Sequence, residues 1–280
     1  MTKLKNTFKT DILFKLLFVK YPALLQRLIA QLLGITLESI KQFEIKNPEM
    51  PPEIMGNKFC RLDIHMMVDG EQVNLEVQVE NEGDYPERAL FHWARAYSNA
   101  LPAGGKYSEL PRTIVISILD FILFEDCTEF HSEFQSLEVK RHKPLTDKKS
   151  LHFFELPKLP GSIDKSELLL LWLALFKADT EEELNQIEAL EVPELSEAIS
   201  AYRSVTASSE FREIERLRAK ARHDEAQALY NAEQKGKAIG ETEKAFAIAR
   251  NLLVVDVPLD KIASATGITR EELEKLRDAD

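Results

Sequence analysis

Asp63 and Glu76 are two acids that a β-hairpin would bring face to face. They lie in LDIHMMVDGEQVNLEVQVEN, residues 62–81, where two alternating runs flank Asp69-Gly70. Asp-Gly between such runs is a strong hairpin signal, because a two-residue type I′ turn needs positive φ at both positions. A tight turn there sets Val68 against Glu71 and, five rungs on, Asp63 against Glu76. Alternation puts Leu62, Ile64, Met66 and Val68 with Val73, Leu75, Val77 and Val79 on an apolar face. Arg61, Asp63, His65, Asn74, Glu76 and Gln78 share the polar one. Like charges directly opposed destabilise a hairpin by up to roughly 1 kcal/mol. Solvent, Arg61, a shared proton or a divalent cation must compensate. The plain alternative is the solvated face of an amphipathic sheet. Such faces usually mix Lys, Thr and Glu, whereas here two acids share a rung with an amide beside them. Two carboxylates with a backbone carbonyl and waters suit Mg²⁺ or Mn²⁺.

The elements that must hold this hairpin follow from periodicity. Residues 7–33 read as two short helices broken near Pro22 and closed by Gly34. Their apolar positions Phe14, Leu17, Phe18, Leu24, Leu25, Leu28, Ile29 and Leu32 fall at helical spacing. A first strand fits 38–46, and the proline-rich stretch 47–57 must be loop. Hairpin strands at 58–68 and 71–80 precede a helix at 85–101, a strand at 112–119 and one or two strands within 127–157. Asp84-Tyr-Pro-Glu87 reads as a capping box for that helix. Leu90, Trp93, Ala94, Tyr97 and Leu101 read as its core stripe. From Ser166 onward the pattern is helical and charged. The change at Pro157–Gly161 is the expected boundary between a two-layer α/β domain, residues 1–160, and a helical extension, residues 161–280.

Composition is that of a globular protein, 44% hydrophobic and 30% charged. No run approaches 18 apolar residues, and the first residues lack a signal-peptide pattern, so a cytoplasmic protein without membrane association is expected. Cys60 and Cys127 are expected as reduced structural thiols. The six histidines form no HxxxH or HExxH pair, so a zinc site has little support; no organic cofactor is expected. The net charge of −11 is unevenly spread. Residues 1–160 carry 20 Lys and Arg against 22 Asp and Glu, whereas residues 161–280 carry 16 against 25. The first part can hold a local basic groove but exerts no general pull on DNA.

Asp63, a hairpin, then Glu76-Val-Gln78 resembles the acid…acid-x-Lys/Gln pattern of the PD-(D/E)XK nucleases. More narrowly, the chain resembles their recombination-promoting nuclease and transposase-related (Rpn-type) branch. The likeness includes Asp11…Phe14-Lys15…Phe18, Arg88, Tyr97 and GGKYSELPRTIVISIL at 104–119, and covers roughly residues 8–160. It implies an α/β, restriction-endonuclease-like core with a mixed central sheet flanked by helices, followed by an all-helical C-terminal extension. It also implies a metal-dependent DNA endonuclease linked to recombination or mobile elements. Asp63, Glu76, Gln78 and Asp11 would be catalytic, with Mg²⁺ (Mn²⁺ substituting) on Asp63, Glu76 and the Val77 carbonyl. Lys15, Arg88 and Arg95 would contact DNA phosphates. There are two departures. Arg61-Leu62 stand where the superfamily name has a proline, and Gln78 replaces the usual lysine. Glutamine does not titrate, so a bound metal would supply most of the activation of water.

These residues also have plainer readings. Asp11 and Lys15 fit an exposed i,i+4 pair, and Arg88, His92, Arg95 and Asn99 a solvated helix face. LDKIASATGITREELEKL has a helix–Gly–helix look, giving a small helix-turn-helix-like unit at 259–278. Residues 269–280 hold three basic and five acidic residues, which opposes groove insertion and favours packing or self-association. Residues 208–235 read as a long charged helix suited to a dimer contact, so a homodimer is expected. Two rival readings stay open. One is a non-catalytic nuclease-fold interaction or regulatory protein acting through its helical extension. The other is a two-carboxylate glycosidase, against which the scarcity of aromatics near the hairpin counts.

Overall fold

A computed structural model describes residues 2–48 and 63–278. Helices α1 (Asp11–Lys20) and α2 (Pro22–Leu33) are separated by Tyr21. Pro22 opens α2 where no amide donor is needed, and Gly34 ends it at φ 66°. Strand β1 (Phe43–Ile45) is shorter than expected because residues 37–39 form a 3₁₀ turn. The expected loop and first hairpin residues at 49–62, with Cys60 and Arg61, lie outside the described residues. Next come β2 (Ile64–Val68), β3 (Glu71–Gln78), α3 (Tyr85–Asn99) and β4 (Thr113–Leu119). Strands β5 (His131–Phe134) and β6 (Lys149–Glu155) complete a six-stranded sheet of order β1-β2-β3-β4-β6-β5. β3, β4 and β6 are parallel and the remaining pairs antiparallel, so the sheet is mixed.

Alternation gives this sheet two faces with different partners. Ile64, Met66, Val68, Val73, Leu75, Ile114, Ile116, Ile118 and Phe154 turn into the main core. α1, α2, α4 (Leu168–Lys177), α5 (Glu181–Glu188) and α6 (Pro193–Ala207) supply the rest of that core. On the opposite face, Val115, Leu119, Leu151 and Phe153 meet Tyr85 and Ala89 of α3. Helices therefore cover both faces, and the core has three layers rather than two. The composition change at 157–161 coincides with a change from strand to helix, and the main core continues across it.

α3 differs from expectation in its cap and its buried face. Asp84 makes no side-chain cap bond, and the buried residues are Tyr85, Ala89 and His92. Leu90, expected in the core, is exposed. The polar face of the sheet explains this, because α3 turns its hydrogen-bonding side chains toward it.

The chain forms two compact units, one reaching Glu215 and the other beginning at Arg216. Helix α7 (Ser209–Val254) runs from one to the other. In the second unit, α8 (Leu259–Thr266) and α9 (Arg270–Asp278) flank Gly267, at φ 72°, and close a small core of Ala249, Ile262, Ile268 and Leu273. None of the described helices is long and apolar enough to cross a membrane.

Candidate active site

The hairpin turn has the expected form: Asp69 and Gly70 both have positive φ, 48° and 84°. The Asp69 carboxylate accepts from the backbone amides of Lys41 and Gln42, tying the turn to the start of β1. The register runs from Val68↔Glu71 to Ile64↔Leu75. Continued one rung beyond the paired residues, this register would bring Asp63 opposite Glu76. Asn47 holds this end, donating to the Asp63 carbonyl at 3.0 Å while its own oxygen accepts from the His65 amide at 2.8 Å. On the other side β3 pairs in parallel with β4, with Glu76 beside Ser117 and Gln78 beside Leu119. Asp63, Glu76 and Gln78 thus sit where β2 begins and β3 ends, on the face that α3 covers.

The two carboxylates have different surroundings. Glu76 is 7% exposed. Its Oε1 accepts from the Tyr85 hydroxyl at 2.6 Å and from Ser117 Oγ at 3.4 Å. Burial first, then the Glu76 charge and this hydrogen bond, hold the Tyr85 hydroxyl protonated well above its ordinary range. Asp63 Oδ2 lies 2.9 Å from His65 Nε2. Burial pushes the Asp63 carboxyl up, but the hydrogen bond and charge of His65, with the charges of His92 and Lys15, more than offset it. Asp63 is therefore held below the usual carboxylate range and stays ionised at neutral pH.

Gln78 meets Arg88. With its amide oxygen turned toward the guanidinium, it accepts from Nη2 at 2.7 Å and Nη1 at 3.0 Å. Arg88 Nη1 also bonds Glu82 at 3.0 Å, and the guanidinium lies 6.0 Å from the Tyr85 ring centre. The Gln78 carbonyl accepts from the Asp120 amide at 2.9 Å. Asp120 in turn pairs with buried Lys9, at 2.7 Å, which also holds Asp179 at 2.9 Å. The end of β4 is thereby pinned to the residues just before α1.

The other expected site residues differ in their surroundings. Lys15 is only 1% exposed. A side chain buried that far does not meet the phosphates of a duplex, and it is no exposed i,i+4 partner either; its described influence is electrostatic, on Asp63. Asp11 stands at the first turn of α1, its Oδ1 accepting from the Ile12 amide at 2.8 Å, a contact within its own turn. Val77 packs its side chain against the main core, so any ligation by it falls to its backbone carbonyl. Arg88 turns inward to Gln78, whereas Arg95 is exposed. Tyr85, Ser117, His65 and His92 join the site without having been singled out for it. The signals were a hydroxyl inside the apolar run TIVISIL and the i, i+3, i+7 spacing of Tyr85, Arg88 and His92.

The donor set fits a hard divalent cation: two carboxylates on adjoining strands, one kept ionised and the other buried against hydroxyls. Among the described residues no group of three or more His, Cys, Asp or Glu side chains forms a metal cage. A cation here would rest on two carboxylates, with carbonyl and water completing the shell.

The mixed sheet with helices on both faces, and with acids where β3 ends, is a restriction-endonuclease-like core bearing a helical extension. The chain belongs to the PD-(D/E)XK nuclease family transposases, whose family model matches residues 8–232. Comparison with curated proteins and with solved structures returns no match.

Proposed function

We propose that this chain is a divalent-metal-dependent DNA endonuclease that hydrolyses phosphodiester bonds in recombination or in mobile-element movement. The observation that supports this reading is the β2–β3 register, Ile64↔Leu75 to Val68↔Glu71, which continued by one rung would bring Asp63 opposite Glu76. Asp63, Glu76 and the Val77 carbonyl would hold Mg²⁺, with Mn²⁺ able to substitute. Such a cation lowers the pKa of water and offsets charge developing on the phosphoryl oxygens. Gln78 orients the attacking water by hydrogen bonding and takes no proton, having no titrating group. Exposed Arg95 would meet a DNA phosphate, and the helical extension would carry self-association to a dimer in the cytoplasm. Supercoiled plasmid incubated with and without Mg²⁺ tests the reading. Nicking or linearisation by wild type, abolished by EDTA and by Asp63→Ala, is the expected result. Wild-type cleavage by Asp63→Ala would refute the assignment.

A further inference from the structure

One face of α3 meets the acid-and-amide motif residue by residue. Tyr85 and Arg88 are three apart and His92 four further on, so all three project from one side of the helix. Tyr85 donates to Glu76 at 2.6 Å, and Arg88 holds the Gln78 oxygen with both terminal nitrogens. His92 is buried and acts electrostatically on Asp63. We propose that α3 is the positioning element of this site: Tyr85 fixes the Glu76 carboxylate for the metal, and Arg88 fixes the Gln78 amide for water. The inference rests on the metal-site reading above and names the residues that set its geometry.

Three observations support a positioning role over a packing role. Tyr85 is 2% exposed, so its hydroxyl reaches Glu76 without competition from bulk water. Tyr85 and Ser117 both engage the same oxygen, Oε1, which fixes the rotation of the carboxylate. Arg88 is committed to Gln78 and Glu82 and stacks toward Tyr85, so its fork is engaged inside the site rather than presented to a phosphate. A ligand with a fixed carboxylate orientation binds metal more tightly than one that must be ordered on binding.

Tyr85→Phe keeps the ring and its edge-on contacts with Phe121 and Phe153 while removing the hydroxyl. Mn²⁺ affinity of the intact, metal-free protein, read by calorimetry and by electron paramagnetic resonance, should fall roughly ten- to a hundredfold. On plasmid, kcat should fall with KM for DNA unchanged. Arg88→Met should lower kcat roughly ten- to a hundredfold, with Mn²⁺ affinity little changed. Arg88→Lys should not rescue it, because an ammonium lacks the two-pronged fork. Trp93→Phe, on the same helix, serves as control, removing a bond to the Thr113 carbonyl of β4. It should shift the melting temperature and leave Mn²⁺ affinity alone. Tyr85→Phe binding Mn²⁺ within twofold of wild type overturns the inference. So does an Arg88→Met protein with normal kcat, raised KM and a flatter salt dependence, which would make Arg88 a phosphate contact. A wild-type protein that binds no Mn²⁺ and cuts no plasmid defeats the underlying metal-site reading instead.

Discussion

At Gln78 the side-chain oxygen accepts from both terminal nitrogens of Arg88, at 2.7 and 3.0 Å. Most of the superfamily this chain resembles carries a lysine at that place, which makes Gln78→Lys the natural substitution to try. Here an ammonium would lose both acceptor contacts and face a guanidinium instead. Hydrogen bonds to a charged group contribute about 1.5–3 kcal/mol, so Gln78→Lys should cost roughly ten- to a hundredfold in cleavage rate. Gln78→Ala should cost a similar amount and retain Mn²⁺ binding, since neither carboxylate is touched. Adding Arg88→Met to Gln78→Lys removes the repulsion, and activity should partly recover. Rates of the single and double variants on one plasmid substrate check this. Full activity of Gln78→Lys alone would show that the Arg88 contact is irrelevant to the chemistry.

At the scale of elements, the β5–β6 pair carries two titrating histidines. His131 Nε2 and His152 Nδ1 are 3.1 Å apart in nearly parallel rings, and Ser150 Oγ bridges His152 and Glu133. Burial, partly opposed by Glu133 and reinforced by His131 and Arg112, lowers His152 to about 4. His131 is lowered too, again by burial. A folded-state pKa below the unfolded value means the unfolded chain binds more protons between them. Stability from this group is thus present above about pH 6.5 and lost as pH falls toward 4. Between pH 7 and 5 the loss should be on the order of 2 kcal/mol, or about 4–8 °C in melting temperature. His152→Gln should flatten that slope, measured by circular dichroism melts at the two pH values. At this scale much was legible in the sequence. Asp69-Gly70 fixed the register because only a turn with positive φ closes a two-residue hairpin, and the apolar strands followed from alternation. The α3 face was not legible, because the side chains it turns toward the sheet include a tyrosine, an arginine and a histidine whose partners lie on distant strands. Periodicity therefore assigned the core stripe to Leu90, which is exposed. Lys15 was misplaced for a related reason: a lysine at i+4 from an aspartate looks like a surface pair until its surroundings are known.

At the scale of the whole chain, the helices after residue 160 complete the main core. Phe8 stacks on Tyr202 at 5.0 Å and meets Phe176 edge-on at 6.0 Å. The Tyr202 hydroxyl donates to the Asn6 carbonyl at 2.6 Å, and Lys9 bonds Asp179. α4 alone contributes buried Leu170, Leu171, Trp172, Leu173, Leu175 and Phe176. Burying each such side chain contributes about 1.5–3 kcal/mol, so losing the set removes an amount comparable to a whole domain's stability of about 5–15 kcal/mol. A fragment ending at 165 should therefore be insoluble, or compact without cooperative melting. A fragment ending at 215 keeps α4 to α6 and buried Phe211 and should melt cooperatively. The same pair of fragments locates self-association. Leu229 and Tyr230 of α7 are 66% and 57% exposed, apolar surface beyond residue 215 of the kind a partner helix covers. Light scattering should give a dimer for the full chain and a monomer for the 1–215 fragment. A dimeric 1–215 fragment would move the interface into the first compact unit.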